Sequence, residues 1–235
     1  MVALRAPAKL TLSLRVVGVR ADGYHLIDAE MVTLDLADTL DVDAAGTNAL
    51  PAGDLVSRAL AAVGRDAHVA VDKRIPVGAG LGGGSADAAA ILRWAGCRDL
   101  AVAASIGADV PFCVVGGRAR VQGIGEVVDP LPFSEVEGRA FTLLTPPLPV
   151  STPAVYARWD AMGGPSDPAG VNDLVPAALA AFPELASWQD RLGDATGLTP
   201  RLAGSGSTWF VEGAFADLRV PGAALCAVTG VSPPL

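Results

Sequence analysis

Apolar and polar residues alternate along the first part of the chain. Residues 9–17 alternate strictly and end in an apolar pair, and the same period of two returns at 31–36 and 40–43. Alternation of this kind predicts half-buried β-strands, and the turn residues at 21–23 separate the first strand from the second. The chain is therefore expected to open as a strand-rich sheet.

The spacing of apolar residues changes further along the chain. Helices are predicted at 54–63, with Asp54 as the N-cap, and at 86–95, 153–162, 174–182 and 184–192. Strands are predicted at 68–73, within 112–130, and at 141–144, 198–202, 208–211 and 223–228. Because strands and helices mix without a regular βαβ alternation, we predict an α+β fold. A proline-rich segment after residue 145 divides it into two domains, 1–145 and 146–235.

Composition and charge exclude several classes of protein. Of the 235 residues, 51% are hydrophobic, so the chain can bury a core, and its formal net charge is −8. A nucleic-acid-binding protein would be expected to carry a basic patch, which is absent from the sequence. The longest uncharged run, 140–157, contains four prolines, which argues against a membrane-spanning helix.

Targeting and redox signals are also sparse. The N-terminus lacks the apolar core of a signal peptide, and Cys97, Cys113 and Cys226 form no C-x-x-C pair. We therefore expect reduced thiols in a cytoplasmic protein that has no dedicated metal-ligating residues. We also expect a monomer or weak homodimer that binds neither nucleic acid nor membranes. Of the 17 basic residues only Lys9 and Lys73 are lysines, so these two positions are candidates for a compact ammonium group.

A glycine-rich loop between a predicted strand and a predicted helix is the strongest local signal. Five of the seven residues 78–84 are glycines, which lets the backbone approach a ligand closely and offers N–H groups to phosphates. Ser85 stands where a hydroxyl could help to hold Mg²⁺ or a phosphate. The residues predicted to bind the nucleotide are Pro76, Val77, Gly78, Ala79, Gly80, Leu81, Gly82, Gly83, Gly84, Ser85 and Ala86.

Two alternatives for this loop stay open. Gly78, Gly80 and Gly83 also satisfy the dinucleotide fingerprint G-x-G-x-x-G, although Pro76 interrupts the turn from strand to loop. The run could otherwise be a close-packed turn that binds no ligand. A Walker A loop is excluded because neither lysine follows a glycine.

Six motifs in order resemble those of the GHMP kinases, over residues 7 to about 210. Four are general to that superfamily, namely Pro-Ala-Lys-Leu-Thr-Leu at 7–12, the glycine loop, Gly-Ala-Asp-Val-Pro-Phe at 107–112 and Ala-Gly-Ser-Gly-Ser-Thr at 203–208. The other two, Arg-Ala-Asp-Gly-Tyr-His at 20–25 and Ser-Thr-Pro-Ala-Val-Tyr at 151–156, resemble the diphosphocytidyl-methylerythritol kinase family within it.

The resemblance implies a fold, a reaction and a set of site residues. It implies an N-terminal domain similar to ribosomal protein S5 domain 2 and a ferredoxin-like C-terminal domain. The implied reaction is Mg²⁺-dependent phosphorylation by ATP of the 2-hydroxyl of the methylerythritol moiety, a step of non-mevalonate isoprenoid synthesis. Asp109 would accept the hydroxyl proton and Lys9 would keep Asp109 ionised. The implied substrate-binding residues are Tyr24, His25, Thr152, Pro153, Tyr156 and Gly204.

Other interpretations of these residues compete with the implied roles. Lys9 could be a solvated charge on a strand, Asp109 a helix cap, and Tyr24 an exposed aromatic beside an Asx turn. Thr11 and Asp54 stand where the family usually has asparagine. A GHMP kinase for homoserine or mevalonate, or a non-catalytic nucleotide-binding relative, therefore stays an alternative.

Overall fold

The computed structural model describes residues 1–165 and 170–231 and contains two antiparallel sheets. The strands of the first sheet are β1 (Val2–Val19), β2 (His25–Asp43), β3 (His68–Asp72), β4 (Arg118–Gly123) and β5 (Val127–Pro130). Its order is β1-β2-β4-β5, and β3 pairs with the C-terminal part of β2. The prediction that the chain opens as a strand-rich sheet is confirmed. The two strands predicted at 31–36 and 40–43 are one continuous strand, β2.

The second sheet is built from the later strands β6 (Ala140–Thr145), β7 (Arg201–Leu202), β8 (Trp209–Glu212) and β9 (Ala224–Thr229). Its order is β7-β8-β6-β9. The change from the first sheet to the second thus falls between β5 and β6, ahead of residue 145. The division into domains 1–145 and 146–235 stays a prediction, and residues 166–169 and 232–235 of the second one lie outside the described residues.

Seven α-helices occur among the described residues. They are α1 (Leu55–Ala62), α2 (Gly83–Trp94), α3 (Leu100–Ile106), α4 (Val110–Val115), α5 (Thr152–Ala161), α6 (Val175–Ala181) and α7 (Glu184–Thr196). Asp54 caps α1 as predicted, since its Oδ1 accepts a hydrogen bond from the Val56 N–H at 2.8 Å. No helix of the described ranges combines the length and the apolar character needed to cross a bilayer.

Helix α4 corrects the prediction of short strands within 112–130. The apolar run at 110–115 is too short for its period to separate a helix from a strand. Pro111 lies in the first turn of α4, where it has no hydrogen bond to lose, and Gly116 ends the helix with φ 69°. The strands of this region are therefore only β4 and β5.

The long central helix α2 positions the glycine-rich loop. Every residue from Ala86 to Leu92 is buried, because α2 packs against β1, α1 and α4 at once. Four of these residues are alanines, whose small side chains let the surrounding elements approach closely. The N-terminus of α2 is thereby fixed beside the middle of β1.

Candidate active site

A cavity of about 1070 Å³ is lined by residues of β1, α1, α2 and α5 and by the glycine-rich segment. All the residues predicted for the site line this cavity except Ala86, which is buried in the hydrophobic core. The glycine segment, the Lys9–Asp109 pair and the aromatic residues Tyr24, His25 and Tyr156 therefore share one cavity.

The glycines of the loop have two distinct structural roles. Gly78, Gly80 and Gly82 all have positive φ values, of 70°, 77° and 69°. A Cβ at Gly80 would meet the carbonyl oxygens of Ala203 and Gly206 at 2.4 and 2.7 Å, whereas one at Gly78 would approach nothing nearer than Pro149 at 4.0 Å. Gly80 thus permits close packing, while Gly78 leaves open space beside the backbone.

The loop also presents hydrogen-bond donors. Within the part of the chain that the structure describes, the N–H groups of Gly78, Gly80 and Gly82 donate to no protein acceptor. Gly82 is the N-cap of α2, and its side-chain-free position leaves the first turn of that 12-residue helix uncapped. Free N–H groups and the positive end of a helix favour an anion at this place.

Lys9 and Asp109 form a close pair in the cavity lining. Lys9 Nζ is 3.4 Å from Asp109 Oδ2, and the Lys9 side chain is only 6% exposed. Lys9 Nζ also donates to Thr11 Oγ1 at 3.1 Å. Lys9 is therefore not a solvated strand charge, because β1 is covered on both faces at this point.

Asp109 occupies the N-cap position of α4 without acting as its cap. Its φ and ψ are −88° and −8°, and its side chain makes no capping hydrogen bond. The carboxylate is 33% exposed and lines the cavity. A carboxylate that is free of capping duty and adjacent to an ammonium group can accept a proton from a bound hydroxyl.

The turn 203–206 closes the cavity next to Lys9. Gly204 has φ 62°, and a Cβ there would lie 3.7 Å from Lys9 Nζ. Asn172 Nδ2 holds the turn by donating to the carbonyl oxygens of Leu202 and Gly204 at 3.0 and 2.7 Å. The hydroxyls of Thr152 and Ser205 are 2.8 Å apart, which joins this turn to the start of α5. Pro153 follows Thr152 in the first turn of that helix.

His25 lies against α5 at the aromatic end of the cavity. The centroids of the His25 and Tyr156 rings are 4.6 Å apart with an interplanar angle of 33°. Trp159 meets the same imidazole edge-on at 5.4 Å. Burial raises the pKa of the Tyr156 hydroxyl above its usual range. The aromatic rings therefore form an apolar pocket, in which the imidazole edge of His25 is the polar part.

Tyr24 is placed differently from Tyr156. It is 59% exposed, and Arg20 Cζ lies 5.4 Å from its ring centroid. The turn before it is an Asx turn, since Asp22 Oδ1 accepts from the Tyr24 N–H at 3.3 Å. The hydrogen bond from Arg20 lowers the pKa of Asp22 to about 2. The Asx turn was foreseen as an alternative to a binding role, and here it carries the aromatic residue to the cavity rim.

Two further charged residues, Lys73 and Asp87, line the cavity and were not assigned to the site from sequence. Lys73 Nζ donates to Asp38, which is fully buried, and to Asp87 Oδ2 at 2.8 Å. Burial alone would lower the pKa of Lys73, but the hydrogen bonds to Asp38 and Asp87 outweigh it and raise that pKa. Burial raises the pKa of Asp87 to about 6. The scarcity of lysine was the signal that could have found this group.

Asp160 is a further residue that sequence reasoning missed. Its Oδ1 is 2.7 Å from His25 Nε2. Its spacing of four residues from Tyr156 on a predicted helix could have placed both on one face.

Among residues 1–165 and 170–231, no group of three or more His, Cys, Asp and Glu side chains could hold a metal ion.

Comparison with known proteins agrees with these motifs. Residues 54–117 match the family model described as GHMP kinases N terminal domain. The chain is 36% identical to a 4-diphosphocytidyl-2-C-methyl-D-erythritol kinase of Paracoccus denitrificans (strain Pd 1222), covering 97% of this chain and 92% of that protein. It is 38% identical to the enzyme of the same name from Ruegeria pomeroyi, over 87% and 86% of the two chains.

Solved structures give the same result at two levels. A crystal structure of 4-(cytidine 5'-diphospho)-2C-methyl-D-erythritol kinase superposes with a TM-score of 0.77 at 30% identity, covering 98% of this chain and 100% of that one. A homoserine kinase from Cytophaga hutchinsonii superposes over 98% and 95% of the two chains with a TM-score of 0.62 at 17% identity, which shows a shared fold alone. The chain thus has the mixed α/β GHMP kinase fold, and it belongs to the 4-diphosphocytidyl-2-C-methyl-D-erythritol kinase family.

Proposed function

We propose that this enzyme transfers the γ-phosphoryl group of ATP to the 2-hydroxyl of 4-diphosphocytidyl-2-C-methyl-D-erythritol, a step in the synthesis of isoprenoid precursors. The observation that carries the proposal is the position of the Lys9–Asp109 pair. It lines one cavity together with the glycine loop and the aromatic residues. A nucleotide donor and a cytidine-containing acceptor would therefore meet at the pair.

The residues of the pair have complementary roles in this reaction. Asp109 would accept the proton of the 2-hydroxyl while the hydroxyl oxygen forms a bond to the γ-phosphorus of ATP. The bond between the γ-phosphorus and the β–γ bridging oxygen breaks in the same step, and ADP is released. Lys9, buried beside Asp109, would favour the ionised carboxylate and offset negative charge at the transferring group. Most of the remaining catalysis would come from positioning, as is usual for phosphoryl transfer.

The glycine loop and the first turn of α2 would hold the ATP phosphates. The free N–H groups of Gly78, Gly80 and Gly82 suit phosphate oxygens. Mg²⁺ prefers oxygen ligands and usually binds through substrate phosphates with one or two protein groups. The hydroxyl of Ser85, which lines the cavity, fits such a group, and the bound ion would neutralise phosphate charge.

The acceptor would bind at the other end of the cavity. We infer that its cytosine lies among Tyr24, His25 and Tyr156, with His25 reading the polar edge of the base. Thr152, Pro153 and Gly204, which line the same cavity, would contact the diphosphate and the methylerythritol moiety.

We also infer the finer classification of the two parts of the fold. The second sheet has the order β7-β8-β6-β9 with antiparallel pairs throughout, which is the arrangement of a ferredoxin-like unit. No helix is present at 213–223, where such a unit would carry its second helix. The first sheet and its helices would correspond to the domain similar to ribosomal protein S5 domain 2.

The free thiols Cys97, Cys113 and Cys226 support a reducing, cytoplasmic location.

The test is a direct assay of the purified protein. With ATP, Mg²⁺ and the diphosphocytidyl substrate it should release ADP, and phosphorus NMR should show a new phosphomonoester on the acceptor. Chelation of Mg²⁺ should stop the reaction. Faster turnover of homoserine or mevalonate than of the diphosphocytidyl substrate would overturn the assignment.

A further inference from the structure

One turn of helix α5 fixes the imidazole ring of His25 from three sides. Tyr156 lies against its face, Trp159 meets its edge, and Asp160 contacts one ring nitrogen. Trp159 is itself anchored, because its indole N–H donates to the carbonyl oxygen of Pro165 at 2.9 Å. The His25 side chain is only 10% exposed as a result.

The contact with Asp160 determines where the imidazole carries its proton. Asp160 Oδ1 is 2.7 Å from His25 Nε2, which is hydrogen-bonding distance. An ionised carboxylate can only accept, so Nε2 must carry a hydrogen whether the ring is neutral or charged. In the neutral ring, Nδ1 is then an acceptor. Among the described residues, His25 Nδ1 has no hydrogen-bond partner of its own.

We propose that Asp160 is a positioning residue that holds the proton of His25 on Nε2 and thereby makes Nδ1 a reader of an exocyclic amino group. The idea rests on the proposed function, because it places a pyrimidine base beside His25. A cytosine presents its 4-amino N–H to an acceptor at this position. A uracil presents a carbonyl oxygen there, and two facing acceptors repel each other. The Asp160–His25 pair would therefore select cytidine over uridine diphosphates.

Asp160→Asn removes the carboxylate that would hold the ring proton on Nε2, with little change in side-chain shape. The amide group can donate to Nε2 as well as accept from it, so the ring proton is no longer confined to one nitrogen. Asp160 is 52% exposed, so the substitution leaves no buried hole and the variant should fold. Asp160→Glu restores a carboxylate, and Asp190→Asn on α7 is a matched control away from the cavity lining.

Nitrogen-15 NMR of the imidazole rings reads the tautomer directly. The chain has 2 histidines, so His68→Gln assigns both ring systems. At a pH at which the imidazole is neutral, His25 should show a protonated Nε2 and an unprotonated Nδ1. In Asp160→Asn the ring should shift towards protonated Nδ1. An unchanged His25 spectrum in that variant would overturn the positioning role, whether or not the protein is a kinase.

Binding of CDP and UDP at the same pH reads the selectivity. The wild-type protein should prefer CDP, and Asp160→Asn should reduce the ratio of the two affinities by about 3- to 10-fold, the range for one hydrogen bond. KM for the diphosphocytidyl substrate should rise by a similar factor, while KM for ATP and kcat change little.

The remaining outcomes separate this proposal from the proposed function. Recovery of the CDP preference in Asp160→Glu and an unchanged ratio in Asp190→Asn are expected. An unaltered ratio in Asp160→Asn would refute the selectivity argument. A wild-type protein that selects CDP but does not phosphorylate the diphosphocytidyl substrate would refute the proposed function and leave the role of Asp160 supported.

Discussion

Replacing Lys9 and Asp109 singly and together tests how the proposed centre works. Their charged atoms are 3.4 Å apart, and their side chains are 6% and 33% exposed. Two unit charges at that distance attract by about 5 kcal/mol at an effective dielectric constant of 20 and by about 1 kcal/mol in bulk water. Because Asp109 is partly open to solvent, screening reduces the coupling to about 1–3 kcal/mol.

Each single variant removes one function and keeps the shape. Asp109→Asn removes the basic oxygen, so kcat should fall by about 10²–10⁴-fold while both substrates still bind. Lys9→Met keeps the apolar stem that passes Gly82 and removes the charge, and it should lower kcat by a comparable factor. A coupling of about 1–3 kcal/mol would leave the double variant about 5- to 150-fold more active than the product of the single losses predicts.

The assay is steady-state release of ADP, with calorimetric titration of a non-hydrolysable ATP analogue to show that binding is retained. Lys73→Met is the matched control, since Lys73 lines the same cavity but pairs with Asp38 and Asp87 instead. The factor by which Lys73→Met lowers kcat should simply multiply with the factor for Asp109→Asn. Strictly multiplicative losses for Lys9 and Asp109 would refute their action as one unit, and a near-normal Asp109→Asn enzyme would refute the assignment of the base.

Three further substitutions test the acceptor pocket, the loop and the buried charges. Measured by calorimetry, Tyr156→Ala should weaken binding of the diphosphocytidyl substrate at least several-fold and leave ATP binding nearly unchanged, since aromatic contacts add about 0.5–1.5 kcal/mol beyond area burial. Equal losses of affinity for both ligands would contradict this prediction. A loss in Tyr156→Phe as large as in Tyr156→Ala would contradict it as well. Gly80→Ala should lower the melting temperature well beyond Gly78→Ala, because both have positive φ but only Gly80 would place its Cβ against carbonyl oxygens, at 2.4 and 2.7 Å; similar melting temperatures would show that strain in φ dominates. Asp87, whose pKa burial raises to about 6, binds its proton more tightly in the folded state, so its contribution to the free energy of unfolding falls as pH rises from about 4 to about 6, by no more than about 3 kcal/mol. In denaturant titrations of the ligand-free protein with chelator, the difference between wild type and Asp87→Asn should shrink over that window, and a constant difference would contradict the burial argument.

Local patterns predicted most of the secondary structure but not the continuity of β2. Asp38 falls where the alternation of β2 would place an apolar residue, and the pattern on its two sides predicted two strands. In the fold Asp38 is fully buried, because its carboxylate accepts from the backbone N–H groups of Arg74 and Ile75 and from Lys73. These partners lie more than 30 residues away in sequence, so no local pattern could have shown that a buried carboxylate was satisfied there.

The candidate site divides in the same way. Lys9, Asp109 and the glycine loop stand in motifs whose chemistry can be recognised from a few adjacent residues. Thr11, which departs from the family pattern, accepts a hydrogen bond from Lys9 Nζ, a contact that the period of two allows because residues 9 and 11 share one face of the strand. The contact of Asp160 with His25 depends on how α5 docks against the start of β2, which is a property of the assembled fold.

The charges of the molecule explain how an acidic protein can hold two anionic substrates. Arginines supply most of the surface ion pairs, among them Arg118 with Glu30 and Arg139 with Glu212. Among the described residues that line the cavity there is no arginine, and both lysines of the chain are present. A guanidinium fork suits lasting bidentate pairs with carboxylates, whereas an ammonium is a compact point charge that can face several partners. The cavity lining is itself formally negative, because it holds five aspartates beside the two lysines, namely Asp22, Asp54, Asp87, Asp109 and Asp160. Lys9, the positive end of α2 and the free N–H groups of the loop therefore provide positive potential locally, where phosphates would lie.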